Sequence, residues 1–231
     1  MTARREPNPN SESVDNYLKA ILLLGGPEES RVASNSLARQ LRVAPASVTN
    51  MLQKLAASSP PLVVYERHRG VLLSSMGKKR ALEVVRHHRL IETFLYEVLD
   101  YPIDEVHEEA ERLEHFISER FEERIDAKLG HPKIDPHGHC IPAMDGAMPR
   151  QNSIVLTDAM YEGTYVVDSV SDRDTRTLRL LKESGIAPGV RLRVRDKPSI
   201  MSYAVSIGRS SRILNLQEEA ASSIRVCALR K

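Results

Sequence analysis

Six side chains with nitrogen or oxygen donors recur at helical spacing near the middle of the chain. His107, Glu111, Glu114 and His115 fall at i, i+4, i+7 and i+8, and His88 and Glu92 repeat the i, i+4 spacing upstream. An α-helix turns roughly 100° per residue, so the first four share one stripe. That stripe runs beside an apolar one of Val106, Ala110, Leu113 and Ile117. Imidazoles and carboxylates on neighbouring helices are how helical bundles hold divalent cations. A donor set without thiolate suits manganese or ferrous iron better than copper(I) or a structural zinc. The competing reading is a solvated helix whose His and Glu form ordinary salt bridges. Six donors in the pattern H-x3-E … H-x3-E-x2-E-H favour the metal.

The elements needed to position these groups are legible. Lys78 to Leu99 reads as one long helix, and a second is expected from about Asp104 to Leu129 after Pro102. Upstream, Ser13 can cap a helix whose apolar positions are Val14, Tyr17, Leu18 and Ile21, stopped by Gly25-Gly26-Pro27. Ser34 to Leu41 is a short helix, Arg42-Val43-Ala44 a tight connection, and Pro45 sits where a first helical turn tolerates proline. In the helix from Pro45 to Leu55, Val48, Met51, Leu52 and Leu55 form the apolar face. The opposite face carries small and polar residues, Ala46, Ser47, Asn50 and Lys54. Small side chains let a helix approach base edges closely, and Asn can pair two-pronged with adenine. Two short strands, Leu62 to Glu66 and Val71 to Ser74, flank Arg67-His68-Arg69-Gly70, a hairpin tip with two arginines for phosphates or a minor groove. This order of elements is a winged helix-turn-helix. Its candidate DNA contacts are Pro45, Ala46, Ser47, Thr49, Asn50, Lys54, Arg67 and Arg69.

Composition narrows the function classes. Hydrophobic residues make up 41% of the 231, with no apolar run near the ~18 residues of a membrane span. The N-terminus lacks a signal-peptide stretch, so a cytoplasmic protein without a membrane partner is expected. Two cysteines are too few for a disulfide framework or a cysteine-rich zinc site. Aromatics are 4% with no Trp, which argues against stacking on single-stranded bases. The net charge of +2 hides segregation: residues 1–99 carry +5, residues 100–135 carry −7 and residues 136–231 carry +4. The basic N-terminal part fits a polyanionic partner. The acidic middle, which also holds His107, His115 and His131, is costly unless solvated or bound to a cation.

Residues 131–160, rich in Pro, Gly and polar side chains, read as a linker. His137, His139 and Cys140 lie within it, but a zinc clip there lacks an evident fourth ligand. From about Tyr161 the pattern becomes short β runs: Tyr165 to Ser169, Val190 to Arg195, Tyr203 to Ile207, Arg212 to Leu216 and Ile224 to Cys227. Leu178 to Leu181 reads as a brief helical turn. Short strands between turn residues suggest a small barrel.

The chain resembles the diphtheria-toxin-repressor and manganese-transport-regulator family of bacterial metal-dependent repressors. The carriers are Asp15-Asn16-Tyr17-Leu18, Pro45-Ala46-Ser47-Val48-Thr49, Tyr65-Glu66-Arg67-His68-Arg69-Gly70, His88-Arg89-Leu90-Ile91-Glu92, His107-Glu108-Glu109-Ala110-Glu111, Glu114-His115 and Pro136-His137-Gly138. They cover Ser13 to about Pro142 closely and the remainder loosely. The resemblance implies a mostly α protein with a β C-terminal module, divided as a winged helix-turn-helix (1–78), a helical metal-binding and dimerisation domain (79–142), a linker (143–160) and an SH3-like, FeoA-like domain (161–231). It implies a homodimer with two metal sites per subunit and no organic cofactor. The primary site maps onto Glu111, Glu114 and His115 with a ligand from the first helix, and the ancillary site onto His88, Glu92 and His107. Iron-responsive members have cysteine where this chain has Glu111, so the implied metal is Mn2+, with Fe2+ the alternative.

One departure is Asn16 at the first-helix ligand position, where relatives carry a carboxylate or methionine; Asp15 is the other candidate. A second is the longer Ser58-Ser59-Pro60-Pro61 approach to the hairpin. The SH3-like domain of some members donates oxygen ligands to the ancillary metal, and Asp172 and Asp174 are the candidates here. The expected function is a metal-activated homodimer that binds operator DNA and controls metal-uptake genes. Without metal, Glu92, Glu111 and Glu114 are expected to repel one another and loosen the first helix. The rivals are a dinuclear metalloenzyme in a helical bundle and a winged-helix regulator of a small organic ligand.

Overall fold

The computed structural model describes residues 9–26, 28–149, 152–160, 162–199, 202–208 and 213–229. Pro27, Tyr161 and Arg212, which figure in the sequence reading, lie outside them, as do residues 1–8. The chain forms two compact units. Unit 1 takes Met1–His88, Glu111–Glu123 and Pro142–Met148, and unit 2 takes Arg89–Ala110, Arg124–Ile141 and Pro149–Lys231. Among the described residues no helix is long and apolar enough to cross a membrane.

Unit 1 opens with α1 (Pro9–Gly25), α2 (Ser34–Leu41), α3 (Pro45–Ala56), β1 (Val63–Glu66) and β2 (Gly70–Leu73). Helix α1 starts at Pro9, a turn ahead of the expected Ser13 cap, because proline is at home in a helix's first turn. The apolar stripes meet as the periodicity requires: Leu18, Leu37, Val48 and Leu52 are fully buried in one core. Burying each such side chain stabilises by roughly 1.5–3 kcal/mol. Arg42 turns the chain between α2 and α3 in the left-handed region, with φ 54°. The hairpin pairs Glu66 with Gly70 and Val63 with Leu73, and Val32 bridges to Val71 as a third edge. Gly70 is required there, since its φ is +93° and a Cβ would lie 2.6 Å from the Val32 carbonyl oxygen.

Helix α4 (Ser75–Leu99) begins in unit 1 and contributes to both units. The expected single helix from Asp104 to Leu129 is two, α5 (Val106–Leu113) and α6 (Glu119–Lys128). Between them Glu114, His115 and Phe116 form a turn. Ser118 starts α6: its carbonyl oxygen accepts from Phe121 and Glu122 N–H, and its Oγ from Phe121 N–H at 3.3 Å. The break undoes half of the expected apolar stripe. Val106 and Ala110 are buried, but Leu113 is 38% exposed.

Unit 2 holds a six-stranded antiparallel sheet ordered β3-β8-β4-β5-β6-β7. Its strands are β3 (Ile154–Val155), β4 (Thr164–Val170), β5 (Arg191–Ser199), β6 (Ser202–Ile207), β7 (Ile213–Gln217) and β8 (Ile224–Ala228). Register shifts in β4 and β5 mark bulges, which curl a sheet. This is the SH3-like module. Alternate residues such as Tyr165, Val167, Leu192, Val194 and Val205 point into its core with Leu178 and Leu181 of α7 (Thr175–Glu183). Helix α7 is longer than the turn read from Leu178 to Leu181. Part of the expected linker belongs to the sheet: β3 pairs with β8, and Leu156 after it is fully buried. A two-residue strand carries no periodicity to find.

Candidate metal centre

In unit 1, Glu114 is the hub. Its side chain is fully buried, and its carbonyl oxygen is fixed by His87 Nδ1 at 3.2 Å. His87 Nε2 in turn lies 3.0 Å from Glu122 Oε2, and Arg86 pairs with the other Glu122 oxygen. Burial opposes charge on His87, but the Glu122 carboxylate outweighs it and raises its pKa. This network holds the turn that presents Glu114 and His115. His88, one turn before Glu92 on α4, brings Nδ1 to 2.6 Å from Glu114 Oε2. Donor atoms of His88, Glu111 and Glu114 converge within 4.8 Å of one another. On the other flank His115 Nε2 lies 3.3 Å from Glu114 Oε1 and 3.1 Å from Asn16 Oδ1.

Asn16 therefore reaches the cluster from α1. Asp15 also approaches, with Oδ2 3.5 Å from His115 Nδ1, but its Oδ1 accepts from Arg80 at 2.5 Å. Burial pushes the Asp15 carboxyl up, yet His115 and Arg80 together hold it below the usual carboxylate range. Lys19, one turn beyond Asp15 and absent from the sequence reading, places its ammonium 2.6 Å from Glu111 Oε1 and 2.8 Å from Glu114 Oε2. The expected repulsion between Glu111 and Glu114 is thus already screened in this structure. Burial pushes the Glu114 carboxyl up, but His88 and Lys19 outweigh it and leave its pKa lowered.

Unit 2 holds a second cluster. Donor atoms of Glu92, His107 and Asp172 lie within 4.8 Å of one another, as do those of Asp135, His137 and His139. His107 Nδ1 is 3.3 Å from Glu92 Oε1 and 3.5 Å from Asp172 Oδ2, and His139 Nδ1 is 3.9 Å from that same Asp172 oxygen. His137 and His139, with Cys140, are the candidate zinc ligands of the expected linker; Asp135, outside that set, joins the two histidines here. The signal was the run Asp135-Pro136-His137-Gly138-His139. Asp135 Oδ1 accepts the backbone N–H of both His137 and His139 at 2.9 Å, which folds the loop around the carboxylate. Gly138 makes this possible, with φ +90° and only 2.2 Å from a built Cβ to the Asp168 carbonyl oxygen.

His137 is fully buried; Nε2 lies 3.1 Å from the Ile103 carbonyl oxygen and so carries the proton. Its Nδ1 stands 3.7 Å from Glu92 Oε2, within ion-pair reach but outside hydrogen-bond length. Asp135 Oδ2 is likewise buried without a hydrogen bond. Burial opposes charge on His137, but Glu92 outweighs it, with Asp172 and Asp135 behind, and its pKa rises to about 9. Glu92, His107 and Asp172, with Asp135, His137 and His139 beside them, offer the oxygen and nitrogen donors a divalent ion takes, and Asp135 Oδ2 is buried among them without a hydrogen bond, so this donor set fits a divalent ion.

The structure keeps two candidates out of the cluster. Asp174 caps α7 instead, accepting from Arg176 N–H, Thr177 N–H and the Thr177 hydroxyl. Cys140 does not join His137 and His139 in a donor group among the described residues; Asp135 is the residue that does. On the winged helix, Pro45, Ala46, Ser47, Asn50 and Lys54 form an exposed face of α3, with Thr49 half-buried and its hydroxyl donated to the Pro45 carbonyl oxygen. Arg67 is exposed at the hairpin tip, and Arg69 pairs with Glu66 at 2.9 Å.

An exposed reading helix, a basic wing and carboxylate–imidazole clusters define a metal-binding DNA-binding protein. The comparisons identify which one. The iron-dependent repressor N-terminal DNA-binding domain matches residues 10–71, its metal-binding and dimerisation domain matches 74–143, and the FeoA domain matches 154–227. A manganese-dependent transcriptional repressor in complex with manganese is 37% identical, with a TM-score of 0.86 over 94% of this chain and 100% of that one. ScaR with bound Zn2+ is 31% identical, with a TM-score of 0.79 over 94% and 99%. The iron-dependent repressor IdeR of Mycobacterium leprae is 27% identical over 203 residues, 82% of this chain and 86% of that protein. The chain belongs to the iron-dependent repressor family of metal-responsive, DNA-binding transcriptional regulators. Its relatives are repressors rather than enzymes, which disposes of the metalloenzyme rival.

Proposed function

We propose that this protein is a manganese-activated repressor that works in the cytoplasm as a homodimer and controls metal-uptake genes, with ferrous iron as the alternative activator. The observation that carries the reading is the convergence of His88, Glu111 and Glu114 in the unit that holds the winged helix, with His115 bridging Glu114 to Asn16. The first site is assigned to Glu111, Glu114, His115 and Asn16. The second is assigned to Glu92, His107 and Asp172, supported by Asp135, His137 and His139, with His88 preceding Glu92 by one turn. Glu111 favours manganese because a second carboxylate is a harder ligand than a thiolate. The similarity to a manganese-dependent repressor supports the same choice. The domain division follows as 1–78 for DNA and 79–142 for metal and dimerisation, with the SH3-like module beginning at β3, at residue 154 rather than 161.

A bound divalent ion supplies the positive charge that holds these donors together. The chain's own residues do the rest. Asn16 couples the cluster to α1, whose Leu18 and Ile21 pack in the same core as Leu37, Val48 and Leu52 of the reading motif. Fixing α1 therefore fixes the pose of α3, where Ala46, Ser47 and Asn50 face the bases while Lys54, Arg67 and Arg69 meet phosphates. A dimer would set two such heads at a spacing of about one helical turn, ~34 Å, or a multiple. Metal shifts DNA affinity only by its preference for the binding-competent state. An anisotropy titration tests this with a duplex selected from a random pool by the manganese-loaded protein. Binding is expected to tighten with manganese and to reverse with chelator; equal affinity in both conditions contradicts the reading.

A further inference from the structure

Asp104 is not among the donors of the unit-2 cluster, yet its side chain is only 7% exposed. Arg179 of α7 reaches its Oδ2 through Nε at 2.9 Å and Nη2 at 2.8 Å, and Lys182 Nζ lies 3.4 Å from Oδ1. Arg179 and Lys182 stand three apart on one face of α7, while Leu178 and Leu181 are buried in the SH3-like core. Both cations are more than half exposed. The Arg179 guanidinium holds the Asp104 carboxyl below the usual carboxylate range, so it is charged at neutral pH. The same short segment is tied on a second side, where the Ile103 carbonyl oxygen faces His137 Nε2 at 3.1 Å. His107 follows Asp104 by three residues, and Asp172 precedes the Asp174 cap of α7 by two. Upstream of Asp172, Val170 N–H donates to the His137 carbonyl oxygen at 2.9 Å. Asp172 thus sits between two anchored points, with Oδ2 3.5 Å from His107 Nδ1.

We propose that Asp104 is a positioning residue: with Arg179 and Lys182 it clasps α7 to the start of α5 and so sets Asp172 against His107. This rests on the metal-responsive reading of Glu92, His107 and Asp172. The clasp uses none of the cluster's donors, so it holds with or without an ion. Its value to the site is preorganisation. Donors already held in place cost less to order when the ion arrives. A guanidinium forked on a carboxylate also fixes direction as well as distance, which a flexible turn ahead of α7 does not do for itself. Asp104→Asn keeps the side chain's shape and removes its charge. The two cations it releases are exposed and stay solvated, so the loss falls on the placement of Asp172 rather than on the fold.

The test titrates manganese into the full chain and follows hydrogen exchange by mass spectrometry. Peptides covering residues 133–141 and 168–175 report the unit-2 cluster separately from unit 1. Asp104→Asn is expected to move the midpoint of manganese-dependent protection to about tenfold higher manganese, as removal of a group supporting a metal ligand does. Arg179→Ala with Lys182→Ala is expected to give the same shift. In an Asp172→Asn background, adding Asp104→Asn is expected to shift the midpoint no further, because the clasp acts through Asp172. An unchanged midpoint in folded Asp104→Asn overturns the proposal. So does a full further shift on top of Asp172→Asn, which would mark general support of the unit rather than placement of that carboxylate. Should Asp104→Asn fail to fold by circular dichroism, the exposed Arg179→Ala, Lys182→Ala pair decides by the same two outcomes. If the parent's protection does not respond to manganese, or Asp172→Asn alone leaves its midpoint unchanged, the metal reading of this cluster fails, and the clasp's role falls with it.

Discussion

The two donor clusters are built from similar residues and solved differently. In unit 1 the carboxylates Glu111 and Glu114 are already answered by the Lys19 ammonium. In unit 2, Arg89 Nε stands 3.6 Å from Asp135 Oδ2, but Glu92 and Asp172 are paired with the imidazoles of His107, His137 and His139, which must hold protons to neutralise them. The difference is between a fixed charge and a conditional one. A cluster with a permanent internal cation can stay ordered without metal, and metal there redirects a structure that already exists. A cluster neutralised by protons exchanges them for metal, so its occupancy is tied to pH.

The largest effect expected from breaking this contrast is in unit 1. Glu111→Ala with Glu114→Ala removes both anions, strands Lys19, and should abolish manganese-dependent DNA binding in the anisotropy assay while unit 2 still takes up its ion. Next is the support beneath. Glu122 answers both Arg86 and His87 from a buried position. Glu122→Ala leaves those charges uncompensated and should cost about 3 kcal/mol in urea denaturation, with weaker manganese uptake in unit 1 and unchanged uptake in unit 2.

A smaller effect sharpens the comparison through pH. The pKa of His137 is raised from 6.5 to about 9. In the metal-free protein its contribution to stability is therefore fully present below pH 6.5 and is lost as pH rises through about 9. The thermal midpoint of chelator-treated protein should fall across that window, and His137→Gln should flatten the slope. Manganese affinity in unit 2 should rise over the same window, because each ion bound displaces the proton. The smallest effect separates two neighbours. Asp172→Asn should weaken manganese uptake in unit 2, whereas Asp174→Asn, which disturbs only the α7 cap, should lower the thermal midpoint slightly and leave uptake unchanged.

Local pattern made much of this molecule legible. Pro45 and the spacing of Val48, Leu52 and Leu55 defined α3, and alternation defined most strands of the SH3-like module. Four of the donors read from spacing, His88, Glu111, Glu114 and His115, meet in unit 1, although Glu114 and His115 sit in a turn rather than on a helical stripe. That turn was missed because no Gly or Pro marks it; the serine that caps α6, Ser118, was the available sign. Lys19 was invisible for a different reason. Its carboxylate partners are 92 and 95 residues away, and among the apolar positions of α1 a lysine reads as surface. Asp172 and Asp174 stand two apart in one turn of the SH3-like domain, and spacing alone does not separate the donor from the cap, while Asp135 reaches its cluster through the backbone turn it makes with His137 and His139.

Anomalous scattering at the manganese edge, from crystals of the full chain soaked in manganese, would locate the ions directly. One peak is expected among Glu111, Glu114, His115 and Asn16, and another among Glu92, His107 and Asp172. Peaks confined to other surfaces, or those side chains turned away from any ion, would contradict metal control of the reading heads.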